Sequence, residues 1–155
     1  MSLNRVRIAK EKAEFVKSLT ESEGKIGPFQ TYADVVVFAA MLGLKRQKRV
    51  AVEIVSKREP APISMEVFVS RGYDLAIKLM MLSETEDTAL LSPFNSEAET
   101  LKTQIFEEYA NGGLDILQEE LRGSVDYTTQ ILLLLIAERD RGLSTPEEFD
   151  LSRFL

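Results

Sequence analysis

The chain has 155 residues, 45% hydrophobic and 28% charged, with a formal net charge of −6, which fits one soluble domain large enough to fold without a metal or disulfide staple. It contains no histidine and no cysteine, which excludes imidazole-based hydrolysis, His-ligated zinc, thiolate nucleophiles and iron–sulfur ligation. The charge is divided unevenly: residues 1–58 carry 12 Lys/Arg against 6 Asp/Glu, and residues 59–155 carry 7 against 19. Either the basic part meets an anionic partner, or the two parts neutralise each other within the fold or across an oligomer.

Arg5–Ile8 alternates polar and apolar, as a short strand does. Residues 9–21 then set Ala9, Ala13, Val16 and Leu19 among charged residues, the stripe of an amphipathic helix. Gly24, Gly27 and Pro28 mark a loop. Thr31, with Asp34 three residues on, begins a buried helix over 31–44. Pro60 and Pro62 make 57–63 an extended linker, and Ser64–Val69 suits one helical turn. An apolar helix follows over 73–83, with Ser83 and Glu86 at the spacing of a capping box that would restart a short turn.

Ser96 and Glu99 form a second such box and open the longest periodic segment. Leu101, Ile105, Tyr109, Leu117 and Leu121 repeat every four residues, with Gly113 at the missing position. This implies a helix of about 25 residues, or two helices broken at Gly112-Gly113, and the glycine pair marks a break or a close backbone approach. Residues 125–141 form the last long helix. Ile131–Ile136 is apolar on every face, so that helix is expected to be central and buried. Thr145, Pro146 and Glu148 would cap a final turn, with Phe149, Leu151, Phe154 and Leu155 packing the tail down. The expectation is a single all-α domain, 1–155, of five to six helices with at most one short N-terminal strand. Its subregions are a basic 1–58 and an acidic, helical 64–155.

Catalysis has little support. Adjacent pairs such as Glu107/Glu108 and Glu119/Glu120 diverge by about 100° on a helix. A Mg²⁺ site from Glu108 and Asp115 competes with the plainer reading of a solvated acidic face. No phosphate-cradling glycine motif occurs, so neither enzymatic activity nor a cofactor is expected. The strongest candidate is basic. Lys45, Arg46, Lys48 and Arg49 put four cations within five residues, and Lys57 and Arg58 add two. Arg5 and Arg7 share one side of the strand, and Lys10 and Lys12 follow on the helix. Such groups contact nucleic-acid phosphates; helix-terminal charge and solubility are the competing reading. Phe15, Phe29, Tyr32 and Phe38 are spaced like core residues, not like a stacking platform. Strand, helix, loop, helix over 5–44 also echoes a ribbon-helix-helix start, in which Arg5 and Arg7 would read DNA from a ribbon paired across a dimer.

Arg5–Val16 (RVRIAKEKAEFV), Pro28–Val35 (PFQTYADV), Arg71–Asp74 (RGYD) and above all Gln104–Leu121 (QIFEEYANGGLDILQEEL) resemble the bacterial Dnd system-associated protein 4 family, encoded beside DNA phosphorothioation (Dnd) genes. The resemblance spans about residues 5–141. It implies a context in which a non-bridging phosphate oxygen of DNA is replaced by sulfur, with associated proteins that modify, regulate or restrict around the mark. The sulfur chemistry belongs to cysteine and iron–sulfur partner enzymes, and this chain has no thiol to carry sulfur. The segment order is also similar, more loosely, to the small helical Dnd protein that associates with DNA and oligomerises. The expected protein is thus a cytoplasmic, non-enzymatic accessory that binds DNA, phosphorothioated or not, through Arg5, Arg7, Lys10, Lys12, Lys45, Arg46, Lys48 and Arg49. Its other expected partners are Dnd-system proteins and a second copy of itself. The alternative is a protein–protein adaptor without DNA contact. No leader or membrane-spanning run is read from the sequence.

Overall fold

The computed structural model describes residues 4–20, 27–86 and 96–142. Within them the chain forms strand β1 (Arg5–Val6), a 3-10 turn (Lys10–Lys12), α1 (Ala13–Ser18), α2 (Tyr32–Lys45), β2 (Ile63–Ser64), α3 (Met65–Ser70), α4 (Asp74–Thr85), α5 (Ser96–Glu120) and α6 (Tyr127–Gly142). The architecture is mostly helical, as the periodicity implied. The N-terminal strand is present, but it pairs antiparallel with β2 of the same chain, Arg5 opposite Ser64 and Val6 opposite Ile63. On the following residues Ala9 bridges Val55. The partner that a dimeric ribbon would have supplied across two chains is thus provided, in this fold, from within one.

Local signals set the helix starts. The Thr31 hydroxyl accepts from the Asp34 amide at 3.3 Å, and the Asp34 carboxylate accepts from the Thr31 amide at 3.1 Å, a reciprocal cap for α2. The Ser64 hydroxyl accepts from the Glu66 amide at 3.3 Å and starts α3. Asp126 does the same for α6 by accepting from the Thr129 amide at 3.3 Å. The spacing of Ser83 and Glu86 does not cap a new turn: α4 runs through to Thr85, and Glu86 ends it in the left-handed region at φ 56°. The expected tail over Thr145–Leu155 lies outside the described residues.

α5 is the central helix. It is unbroken at the glycine pair, because Gly112 and Gly113 face neighbouring backbone. A Cβ on Gly113 would overlap the Ala39 carbonyl of α2, and one on Gly112 the Lys48 carbonyl. From the other side, a Cβ on Gly43 would overlap the Tyr109 carbonyl. Two helix backbones therefore meet where side chains would normally hold them 8–10 Å apart. Around this contact Val35, Val36, Ala39 and Ala40 of α2 pack with Ile105, Phe106, Leu114 and Leu117 of α5, all buried. Phe68 of α3 meets Phe106 edge-on at 5.0 Å.

The helix expected at the centre is peripheral. α6 buries Ile131, Leu134 and Glu138, whereas Leu132, Leu133, Leu135 and Ile136 remain 46–56% exposed. An all-round apolar run is the pattern of a buried helix, and here only one stripe of it is covered.

Alanine at position 113 should gain about 1 kcal/mol of helix propensity but lose more by forcing the helices apart. A net destabilisation of about 2 kcal/mol is expected from urea unfolding of Gly113→Ala. Gly123→Ala, with open space but φ +75°, should cost about 1 kcal/mol through backbone strain alone. Unchanged or higher stability in Gly113→Ala would show that α2 and α5 can part freely.

Candidate functional site

Lys12 is 3% exposed, an unusual place for an ammonium unless each of its three donors is met. Its Nζ donates to the Asn111 carbonyl at 2.8 Å and to Asn111 Oδ1 at 2.5 Å, and pairs with Asp115 Oδ1 at 2.6 Å. Asn111 Nδ2 in turn donates to the Val50 and Ala51 carbonyls at 3.1 and 3.2 Å. The charge on Lys12 joins the N-terminal turn, the segment after α2, and α5.

The cationic turn at 45–49 is positioned by the end of α2. The Lys48 amide donates back to Gly43 at 2.8 Å, the Val50 amide to Glu108 at 3.0 Å, and Gln47 takes φ 54°. This turns the chain onto the acidic side of the molecule. Lys45 Nζ donates to the Glu138 carbonyl and lies 3.7 Å from its carboxylate. Arg46 forks onto Glu138 and reaches Glu120 at 3.2 Å. Lys48 lies 3.8 Å from Asp115. Arg49 bridges Glu84 and Glu108, each at 2.6 Å, with its guanidinium 5.5 Å from the Tyr109 ring centre. Glu108 and Asp115, the pair considered for Mg²⁺, thus face different cations.

Arg7 is held in the same way. Its backbone amide and guanidinium both donate to the buried carboxylate of Glu107, at 2.7–3.2 Å. Six of the eight candidate cations are therefore matched to carboxylates of the same chain. Arg5 and Lys10 are exposed and make no ion pair among the described residues. Lys10 lines a groove of about 660 Å³ together with Lys57 and Arg58, while Arg5 and Arg7 border a different depression beside Thr100 and Gln104. Lys12 is thus withdrawn into the fold, and Arg5 and Lys10 border different depressions. Phe29 and Phe38 contact each other at 5.3 Å and Phe15 meets Tyr127 at 6.4 Å, packed against the core.

These contacts fix the acid–base character of the region. Burial works to raise the Glu138 carboxyl, but Arg46, with Arg141 and Lys45, outweighs it and holds the group below its ordinary value. Burial likewise opposes, and Tyr73, Thr31 and Arg71 overcome it, at Asp34. The hydroxyl of Tyr109 holds Glu84 down against burial, with help from Arg49. Tyr109 itself is pushed up to about 12 by burial and then by Glu84.

The profile of the family described as DNA sulphur modification system-associated protein 4 matches residues 5–154. The chain belongs to that family. Neither a curated protein nor a solved structure matches it. Family membership associates the protein with a DNA sulphur modification system. Among the described residues no helix is long and apolar enough to cross a membrane.

Two surfaces carry more than the sequence assigned to them. The Lys57–Arg58 pair was visible as charge, but its meeting with Lys10 across a groove depends on tertiary packing. The open face of α6 was hidden by the apolarity that made it look like core.

Because Asp34, Glu84 and Glu138 sit below their ordinary values, their stabilisation is fully present above about pH 4.5 and is lost as pH falls through the lowered native values. Unfolding free energy should be flat from neutral pH down to that point and then fall, as followed by urea titration at stepped pH. Arg46→Ala leaves Glu138 buried without its guanidinium and should cost about 3 kcal/mol at pH 7. A loss below about 0.5 kcal/mol would mean that the pair is merely superficial.

Proposed function

We propose that the protein is a non-enzymatic adaptor of a DNA sulphur modification system, and that the outer face of α6 is where it docks other proteins of that system. The carrying observation is the row of Leu132, Leu133, Leu135 and Ile136, half-exposed on one side of a well-formed helix. Four such side chains present a few hundred Å² of contiguous apolar surface, the scale of the functional patches found on monomeric proteins. The matching element is an apolar helix or groove, since i, i+3 and i+4 anchors on one helix face suit that mode of recognition. The family context supplies the partners: proteins that act together around one DNA mark need surfaces for each other.

The charge distribution favours this reading over a broad grip on DNA. Cations that could neutralise phosphates along a duplex are instead engaged with Glu84, Glu107, Glu108, Asp115, Glu120 and Glu138. Among the described residues, the cations outside these pairs on which direct DNA contact would draw first are Arg5, Lys10, Lys17, Lys57, Arg58 and Arg122.

The test is titration of the purified proteins of the same system against this chain and against Leu132→Glu/Ile136→Glu. One of them should bind with the wild type and at least about tenfold more weakly with the variant, whose melting temperature should be little changed because both residues are exposed. Light scattering reports whether the occupant is a second copy, which would replace the adaptor reading. Duplex DNA with and without phosphorothioate, at two salt concentrations, forms the third arm. Steeply salt-dependent DNA binding that Arg5→Glu/Lys10→Glu removes, with no protein partner found, would overturn the adaptor.

A further inference from the structure

Beside the 3-10 turn, the segment 54–59 runs along the N-terminal residues and leaves a groove of about 660 Å³, in the range of sites that take small organic ligands. Its frame is fixed by backbone. The Lys10 amide donates to the Ile54 carbonyl and the Ser56 amide to the Ile8 carbonyl, each at 2.8 Å. The buried Ser56 hydroxyl donates to the Arg58 carbonyl at 2.9 Å and holds the turn that presents Lys57 and Arg58. The walls are of two kinds: Ala13, Ile54 and Val55 are apolar, with Ile54 62% exposed, and Lys10, Lys57 and Arg58 are cationic.

Lys10, Lys57 and Arg58 share with Arg5, Lys17 and Arg122 the lack of an ion pair among the described residues, but these three gather around one groove. Elsewhere in the fold, Arg7, Lys12, Lys45, Arg46, Lys48, Arg49 and Arg71 each meet a carboxylate. Glu14 and Glu59 line this same groove, yet Lys10, Lys57 and Arg58 form no ion pair with them or with any other described residue. The charges of Glu14 and Glu59 act on Tyr32, whose hydroxyl is raised by burial and then by those two carboxylates. Three cations without an ion pair among the described residues, beside an open apolar wall, describe a receptor for a ligand that is anionic at one end and apolar at the other.

We propose that this groove binds a phosphate monoester with an apolar or aromatic body, of which a nucleoside monophosphate is the simplest example. Lys10, Lys57 and Arg58 receive the phosphate, and Ala13, Ile54 and Val55 receive the body. Arg58 suits a bidentate hold on two phosphate oxygens, and the lysines act as point charges. The carboxylates of Glu14 and Glu59 can accept from ligand hydroxyl or amino groups, and they disfavour a bare polyanion that would have to approach both. The site does not depend on the docking role of α6.

Calorimetric or NMR titration with thymidine 5′-monophosphate, thymidine and inorganic phosphate tests it on the full chain. The monophosphate should saturate, and thymidine and phosphate should each bind at least about tenfold more weakly. Lys57→Gln/Arg58→Gln should weaken the monophosphate by at least about tenfold without altering the melting curve, since neither side chain has an ion pair to lose among the described residues. Lys10→Gln, from the facing wall, should act in the same direction. Absence of saturation up to about 10 mM monophosphate overturns the proposal. So does phosphate binding as tightly as the nucleotide, which would remove the apolar wall from the account, or a folded double variant that binds like wild type. A 5′-phosphorylated oligonucleotide that competes for the same groove would show that the monoester is read at a nucleic-acid end.

Discussion

Contact between the backbones of α2 and α5 is the constraint on which the other features rest. Gly43, Gly112 and Gly113 remove the side chains that would separate the elements, so α5 can lie directly on α2 and on the turn that follows it. Once those helices are in register, the positions of Lys48–Ala51 are determined. The Val50 amide reaches the Glu108 carbonyl, and Asn111 reaches the Val50 and Ala51 carbonyls. A few tenths of an ångström at the glycines would be passed to every hydrogen bond in that group, because packed interiors transmit strain instead of absorbing it.

The same register explains the lopsided charge. A basic first part and an acidic second part could each have served an external partner, but the α2 C-terminus delivers Lys45, Arg46, Lys48 and Arg49 to carboxylates of α4, α5 and α6. Arg7 and Lys12 do the same for Glu107 and Asp115 of α5. The buried members of this set, Lys12, Glu107 and Glu138, are poor sources of raw stability, because desolvation offsets much of the attraction. Their strength is in selection: a shift of α5 along α2 would leave at least one buried charge alone. Together with the glycine contact, the ion pairs specify one arrangement of the helices.

Features encoded within a few residues were readable from sequence. The Thr31/Asp34 cap, the Ser64 start of α3 and the length of α5 follow from spacing. The glycine pair was readable as an alternative, and the unbroken α5 resolves it as close approach. Long-range features were not readable. Arg7 meets Glu107 100 positions away and Lys12 meets Asn111 99 positions away, and no local pattern reports such a pairing. The cationic clusters therefore looked identical whether they faced phosphate or carboxylate. The error on α6 has a related cause. Ile131–Ile136 announces apolarity on all sides, but whether a neighbour covers each side depends on where the helix docks. α5, with a far more polar sequence, took the centre because its small residues let other elements come close.

Functional information in this protein therefore lies in what the fold leaves unused. Charges and apolar residues that complete α2, α5 and their junction are matched internally, so changing them would report first on stability. Among the described residues, the groups outside this matching include the leucine–isoleucine face of α6, and the cations Lys10, Lys57 and Arg58 around their groove. Exposing the first costs solvation free energy, about 25 cal/mol for each Å² left in water. Leaving the second without an ion pair among the described residues forgoes the carboxylates of Glu14 and Glu59 in the same groove. A sequence that matches the cations around α2 and α5 closely, including two arginines that each bridge a pair of acids, had ready means to quench both. In a family tied to DNA sulphur modification, those two surfaces are where the proposed partner protein and the proposed phosphate-bearing ligand would each be met without disturbing the core.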